Sequence, residues 1–277
     1  MTVELEVLAY GYGLIEGPRV DADDNLYFSD VPNGGVYRRA PSGEITVAVP
    51  KRRGVGGIAI HAQGGLVVGG RNICHVLDGE TRIVFDLDAG FNDLMTDAQG
   101  RVVVGTLRTD PFADGGTRTP GELHRIGLDG TAEEMYGGVV LTNGIGFSAD
   151  GTRIYHSDTG SNHVICHDVE GDRYINRRAL GQSHDFNPDG LAVDEAGTVW
   201  VADYQAGCVR GLDPDNGTEV SRIAVPAVAV TSLCFGGADR RDLYIVTADN
   251  TDDPDRAGTI FRTRAEVPGV EVPLARV

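Results

Sequence analysis

Residues 187–204 read NPDGLAVDEAGTVWVADY. Two short apolar runs, Leu191–Val193 and Val199–Ala202, flank an acidic turn that contains glycine, which is the pattern of a β-hairpin. A single hairpin decides little, but this one recurs. In register with DGLAVDEAGTVWVAD from Asp189 stand EGPRVDADDNLYFSD from Glu16, GGIAIHAQGGLVVGG from Gly56, NDLMTDAQGRVVVGT from Asn92 and NGIGFSADGTRIYHSD from Asn143. A looser copy, SLCFGGADRRDLYIV, begins at Ser232. The starts lie 36 to 51 residues apart.

Each copy continues through a turn into a third strand, such as GVYRR (35–39), HVICHD (163–168) or CVRGLD (208–213), and often a fourth, such as EITVAV (44–49). Four short antiparallel strands per unit, at this period, form a propeller blade. The chain is therefore expected to be all-β, a six-bladed β-propeller in one domain spanning 1–277. No convincing helical periodicity runs through it. The alternating segment VELEVLA (3–9) precedes the first copy. It is expected to close the ring as the outer strand of the last blade, beside GTIFRTR (258–264) and GVEVPL (269–274), which would remove an exposed edge. The irregular stretch 110–121 is a candidate lid over a site.

The register exposes one column. Five residues before the turn residue stand Glu16, Gly56, Asn92, Asn143, Asp189 and Ser232, while the rest of that strand is mostly apolar. The first strand of a blade lines the central channel, so this column forms a ring around the axis. Glu16, Asn92, Asn143 and Asp189 are oxygen donors. Two carboxylates held close repel unless a proton or cation lies between them. Two carboxylates and two amides make a hard-oxygen set for one divalent cation, with Ca²⁺ the first expectation and Mg²⁺, Mn²⁺ or Zn²⁺ as alternatives.

Composition narrows the classes. The chain carries 24 Lys and Arg against 41 Asp and Glu, a net charge of −17. Nucleic-acid binding needs a basic footprint, and anionic membranes attract basic ones; neither partner is expected. The first ten residues have neither a basic nor an apolar leader region, and no run approaches a membrane span, so a cytoplasmic protein is expected. Cys74, Cys166, Cys208 and Cys234 form no C-x-x-C pair and read as buried free thiols.

The motifs EGP at 16–18, ND at 92–93 followed by D-x-x-G-R and G-T, TNGIGFS at 142–148, NPDGLAVD at 187–194 and the late FGG at 235–237 resemble the SMP-30/gluconolactonase (regucalcin-like) family across nearly the whole chain. The resemblance implies the six-bladed propeller and a divalent metal held by Glu16, Asn143 and Asp189. It also implies that Asn92 binds substrate or adds a fourth ligand. One departure stands out. Sugar-lactonase members carry an arginine two residues before that Asn, where this chain has Gly90. Either the lactone is less polar than a sugar lactone or another loop, with Arg71, Arg108 or Arg118, supplies the contact.

The expected activity is metal-dependent opening of a small-molecule lactone, with Asp189 as general base. No G-x-S-x-G elbow supports a nucleophilic serine. His167–Asp168 lies in a third strand and reads as structural, whereas His184–Asp185 stands just before NPDG as a candidate second base at the channel mouth. Asp30, Asp158 and Asp203 end second strands and read as turn caps, Asp203 being a weak pocket candidate. The alternatives are a metal-dependent phosphotriesterase and a non-catalytic binding propeller. A ring of ligand-type residues argues against the last. A monomer or weak homo-oligomer is expected.

Overall fold

The computed structural model describes residues 3–110, 117–248 and 257–277. Its strands form six sheets of four antiparallel strands each, arranged as a six-bladed propeller. The candidate lid falls largely on 111–116, outside the described residues. A short 3₁₀ turn, Thr159–Ser161, is the one helical segment among them, and no helix there is long and apolar enough to cross a membrane.

The repeated turn closes each hairpin by side chain. Asp97 Oδ1 accepts from the backbone N–H of Gln99 and Arg101 at 3.0 Å each, and Asp21 Oδ1 accepts from Asp23 and Asn25. In the fifth blade Asp194 accepts from Thr198 N–H and, at 2.9 Å, from the indole N–H of Trp200. These are the local carboxylate–backbone bonds that make Asp favourable in turns.

The core lies between blades. Val36 and Val49 of the first blade pack with Ile58, Val68 and Cys74 of the second, and the sixth blade meets the first through Tyr244, Val246, Ile260, Ile15 and Phe28. A middle strand covered on both faces must be apolar throughout, which accounts for runs such as Val102–Val104. All four cysteines are buried and unpaired.

Ring closure follows the expected course on one side. The strand Glu6–Tyr12 pairs antiparallel with Gly258–Arg264, and the Arg262 guanidinium meets Glu6 Oε2 at 2.6 Å. The expectation for GVEVPL is corrected. Residues 269–276 do not join the last blade but cross the far end of the channel. Val270 N–H donates to the Val193 carbonyl, Ala275 N–H to that of Ile60 and Arg276 N–H to that of Gly100. Pro268 and Pro273 lack the N–H that a ladder strand needs, so V-E-V alternation there does not make a blade strand. Between this strap and the inner strands lies a chamber of about 440 Å³ bordered by Arg19, Leu191, Cys234 and Leu274. The strap crosses that end, on the opposite side of the channel from the starts of the inner strands.

Candidate active site

Glu16, Asn92, Asn143, Asp189 and Ser232 all lie on innermost strands, near the mouth. In five blades the ladder slips at this level: between Glu16 and Arg19, Phe91 and Leu94, Thr142 and Ile145, Pro188 and Leu191, and Val230 and Ser232. Each slip is a β-bulge, with one extra residue on the inner strand. Bulges re-aim side chains and commonly border active sites. Here they present the column to the axis.

Glycines make the ring narrow enough to act as one site. A methyl at Gly56 would lie 2.0 Å from Asn92 Oδ1, so the glycine of the second blade provides the space that the Asn92 amide fills. A methyl at Gly190 would strike Ser232 Oγ at 2.1 Å, and one at Gly144 the backbone nitrogen of Leu191 at 2.3 Å.

The amides are oriented. Asn143 Nδ2 donates to Thr159 Oγ1 at 2.8 Å, and that hydroxyl donates onward to the Pro188 carbonyl at 2.6 Å. Asn143 Oδ1 is thereby turned inward, where Asn92 Nδ2 meets it at 2.7 Å. Asn92 Nδ2 also donates to the Thr142 carbonyl at 2.7 Å, which commits its nitrogen, not its oxygen, to this side of the ring. Asp189 Oδ1 is buried and has no hydrogen-bond partner among the described residues.

The electrostatics are strained. Glu16 is 7 % exposed and Asp189 5 %, so both carboxyls are largely withdrawn from water. Burial, then the charges of Asp189 and Asp93, hold Glu16 well above the usual carboxylate range, with the Gly17 N–H and Arg19 opposing. Burial and the Asp93 charge do the same to Asp189, against the Gly190 N–H. Removing a buried carboxylate from water costs several kcal/mol unless something pairs with it.

Two residues of this site were not singled out from the sequence. Asp93 is buried and influences both ring carboxylates, and Arg19, also buried, stands 3.6 Å from Asp93 Oδ1. Arg19 also donates to the Pro18 and Leu94 carbonyls. Strict alternation would send Asp93 to the face opposite Asn92. The bulge is what turns both inward, and it leaves no mark in a single sequence.

Other candidates resolve differently. Asp30, Asp158 and Asp203 hold the loops that lead into the ring strands, accepting from the N–H groups of Gly13, of Val140 and Leu141, and of Asn187 respectively. Asp203 is fully buried against Arg210 at 2.5 Å and does not open to the pocket. His167 is structural, stacked on Tyr136 at 4.4 Å. His184 is exposed and forms no hydrogen bond or ion pair among the described residues, so the structure does not bring it to the ring.

His156 supports the ring from behind. Its Nε2 lies 2.6 Å from Thr142 Oγ1 and its Nδ1 2.9 Å from the Tyr136 hydroxyl. Burial pushes its pKa down to about 3. In the unfolded chain imidazole titrates near ~6.5. The unfolded chain therefore binds more protons as pH falls below that value, and stability falls with it, by up to about 1.4 kcal/mol per pH unit from this group. Denaturant melts between pH 7 and 4.5 are expected to show a shallower decline for His156→Gln than for wild type. Equal slopes would show that His156 is not held neutral.

Among the described residues no group of three or more His, Cys, Asp or Glu is gathered for a metal. The ring instead offers two carboxylates and an inward amide oxygen. That donor chemistry, with one buried carboxylate oxygen left without a hydrogen-bond partner, fits a hard divalent cation and not a thiolate or imidazole zinc site.

Comparison with known proteins agrees with this architecture. The SMP-30/Gluconolactonase/LRE-like region matches residues 14–249. Pentonolactonase XacC of Haloferax volcanii is 33 % identical over 268 residues, covering 89 % of each chain. The 6-deoxy-6-sulfogluconolactonase of Pseudomonas putida is 33 % identical over 270 residues, covering 90 % of each. Among solved structures, a luciferin-regenerating enzyme superposes with a TM-score of 0.86 at 25 % identity, over 98 % of this chain and 100 % of the other.

Proposed function

The chain belongs to the SMP-30/Gluconolactonase/LRE-like family, and from that premise we propose that it is a lactonase that works with one divalent cation, most suitably Ca²⁺, held by Glu16, Asn143 and Asp189. One observation carries the reading: Asp189 Oδ1 is buried with no partner of its own among the described residues, while a second buried carboxyl, Glu16, and the oriented Asn143 amide stand at the same bulge level on the inner strands of two other blades. The relatives named as lactonases support the reaction type.

When bound, such an ion supplies Lewis-acid polarisation of the lactone carbonyl and a more acidic water. The chain's residues do the rest. Glu16 and Asn143 fix the position, Asn143 through its bond to Thr159. Asn92 spends both amide hydrogens on the Thr142 carbonyl and Asn143 Oδ1, so it holds the Asn143 amide in place and offers the substrate its own Oδ1 as an acceptor for a hydroxyl. Asp189 takes the proton from the attacking water as the new C–O bond forms, and returns it to the ring oxygen as the lactone C–O bond breaks.

The test is metal-stripped protein, assayed with lactones by release of acid, with Ca²⁺, Mg²⁺, Mn²⁺ or Zn²⁺ restored singly. Activity is expected to be absent after stripping and highest with Ca²⁺. Thermal melts should rise with the same ion, by about 2.7 kcal/mol of stability at a hundred times its dissociation constant. Hydrolysis that survives stripping would refute the cation, and hydrolysis of an aryl phosphotriester in preference to every lactone would refute the substrate class.

A further inference from the structure

The hydrogen bonds at the ring run in one direction, from Asn92 on the third blade through Asn143 and Thr159 on the fourth to Pro188 on the fifth. The direction is set at the far end. A carbonyl can only accept, so the single hydrogen of the Thr159 hydroxyl is spent on the Pro188 carbonyl, 2.6 Å away. Toward Asn143 Nδ2, at 2.8 Å, the same oxygen can then only accept. Asn143 must therefore give Thr159 its NH₂ group and turn Oδ1 inward, where the NH₂ of Asn92 meets it.

Thr159 holds its place without that hydroxyl. It opens the 3₁₀ turn Thr159–Ser161, and its backbone N–H donates to the Leu141 carbonyl at 3.0 Å. The preceding residue, Asp158, is fully buried and fixes the same loop, accepting from the Val140 and Leu141 N–H groups and from the Ser161 hydroxyl at 2.8 Å. Both bonds of the Thr159 hydroxyl go to the ring instead. One reaches the Asn143 side chain, and the other reaches the peptide unit that joins Pro188 to Asp189.

We propose that Thr159 is a positioning residue of the cation site: its one hydroxyl sets the polarity of the Asn143 amide and seats the strand that carries Asp189. Exchange of the hydroxyl for a methyl would leave the buried Asn143 NH₂ facing an apolar group. The amide would then strand a donor or swing to find an acceptor, and in swinging it would carry Oδ1 out of the ring. The Pro188 carbonyl would lose its donor in the same step. Partners that orient a ligand in this way govern metal affinity although they never touch the ion. The proposal rests on the cation reading above.

The test is calorimetric titration of the metal-stripped full chain with Ca²⁺, Mg²⁺ and Mn²⁺ in turn, with a thermal melt of each ion-free protein. Thr159→Val keeps the shape of the side chain and removes the hydroxyl. It is expected to melt cooperatively and to bind the preferred ion about 10–100-fold more weakly than wild type. Thr159→Ser keeps the hydroxyl and should recover most of that affinity. Thr159→Ala is a second truncation, held to the same outcomes should the valine not fold. Asn143→Asp separates orientation from general damage, because a carboxylate has an acceptor on both branches and needs no orienting. In that background Thr159→Val should weaken the ion far less than it does beside Asn143, a coupling expected only of residues in contact. Truncations that bind the ion as wild type does, or that lose as much affinity beside Asp as beside Asn, would overturn the positioning role and leave the cation site standing. If wild type takes up none of the three ions, the cation reading fails and this inference with it.

Discussion

Asp189→Asn is expected to lower lactone hydrolysis by about 10³-fold or more, the loss of a positioned base together with a charge that stabilises the transition state. The metal-free variant is expected to be at least as stable as wild type. The reason lies in the ring. In the native fold Asp189 is buried beside other carboxylates, and its Oδ1 has no hydrogen-bond partner among the described residues. An amide of the same shape removes the repulsion with Glu16 and Asp93. A carboxylate kept at the cost of stability marks a functional position. Two readouts separate this from a folding defect. Ca²⁺ should raise the melting temperature of wild type and not of Asp189→Asn. Glu16→Gln should behave likewise in the melt, since it too removes one of the repelling charges. An Asp189→Asn protein that gains stability from Ca²⁺ as wild type does, or retains full rate, would remove Asp189 from the site.

The ring was legible in the sequence because six copies share one offset from one turn. Glu16, Asn92, Asn143 and Asp189 align by counting alone, and the structure brings them to one level of the channel. The strand that closes the propeller was legible too, since residues 3–9 alternate and the last blade lacks an outer strand. What counting misses is three-dimensional. Asp93 enters the site through a bulge that breaks strict alternation. Arg19 contributes through a neighbour 74 positions away in the chain, on a different blade. The strap at 269–276 looks like a strand in its V-E-V alternation, and only the position of its partners, Val193, Ile60 and Gly100, shows that it crosses the channel. His184 stands near Asp189 in sequence, yet loop 181–187 turns it to solvent.

Arg19 is the residue whose loss should cost the fold most. Three buried carboxylates, Glu16, Asp93 and Asp189, occupy one region of the channel, and Arg19 lowers the cost of ionising both Glu16 and Asp93. It also satisfies the Pro18 and Leu94 carbonyls, so it joins the first blade to the third below the ring. Removing one member of a buried ion pair leaves the other charge uncompensated, typically at about 3–5 kcal/mol. Arg19→Met keeps the length and apolar stem of the side chain, so the loss it produces reports charge and hydrogen bonds more than volume. Urea melts should therefore place Arg19→Met about 3–5 kcal/mol below wild type. Arg19→Met combined with Asp93→Asn should recover part of that loss, because the second change removes the stranded carboxylate. Coupling of this kind is expected only between residues in contact. Additive losses would mean that Arg19 serves the Pro18 and Leu94 carbonyls alone. Recovery would show that Arg19 and Asp93 act as one pair, setting how much negative charge the ring can hold before a cation arrives.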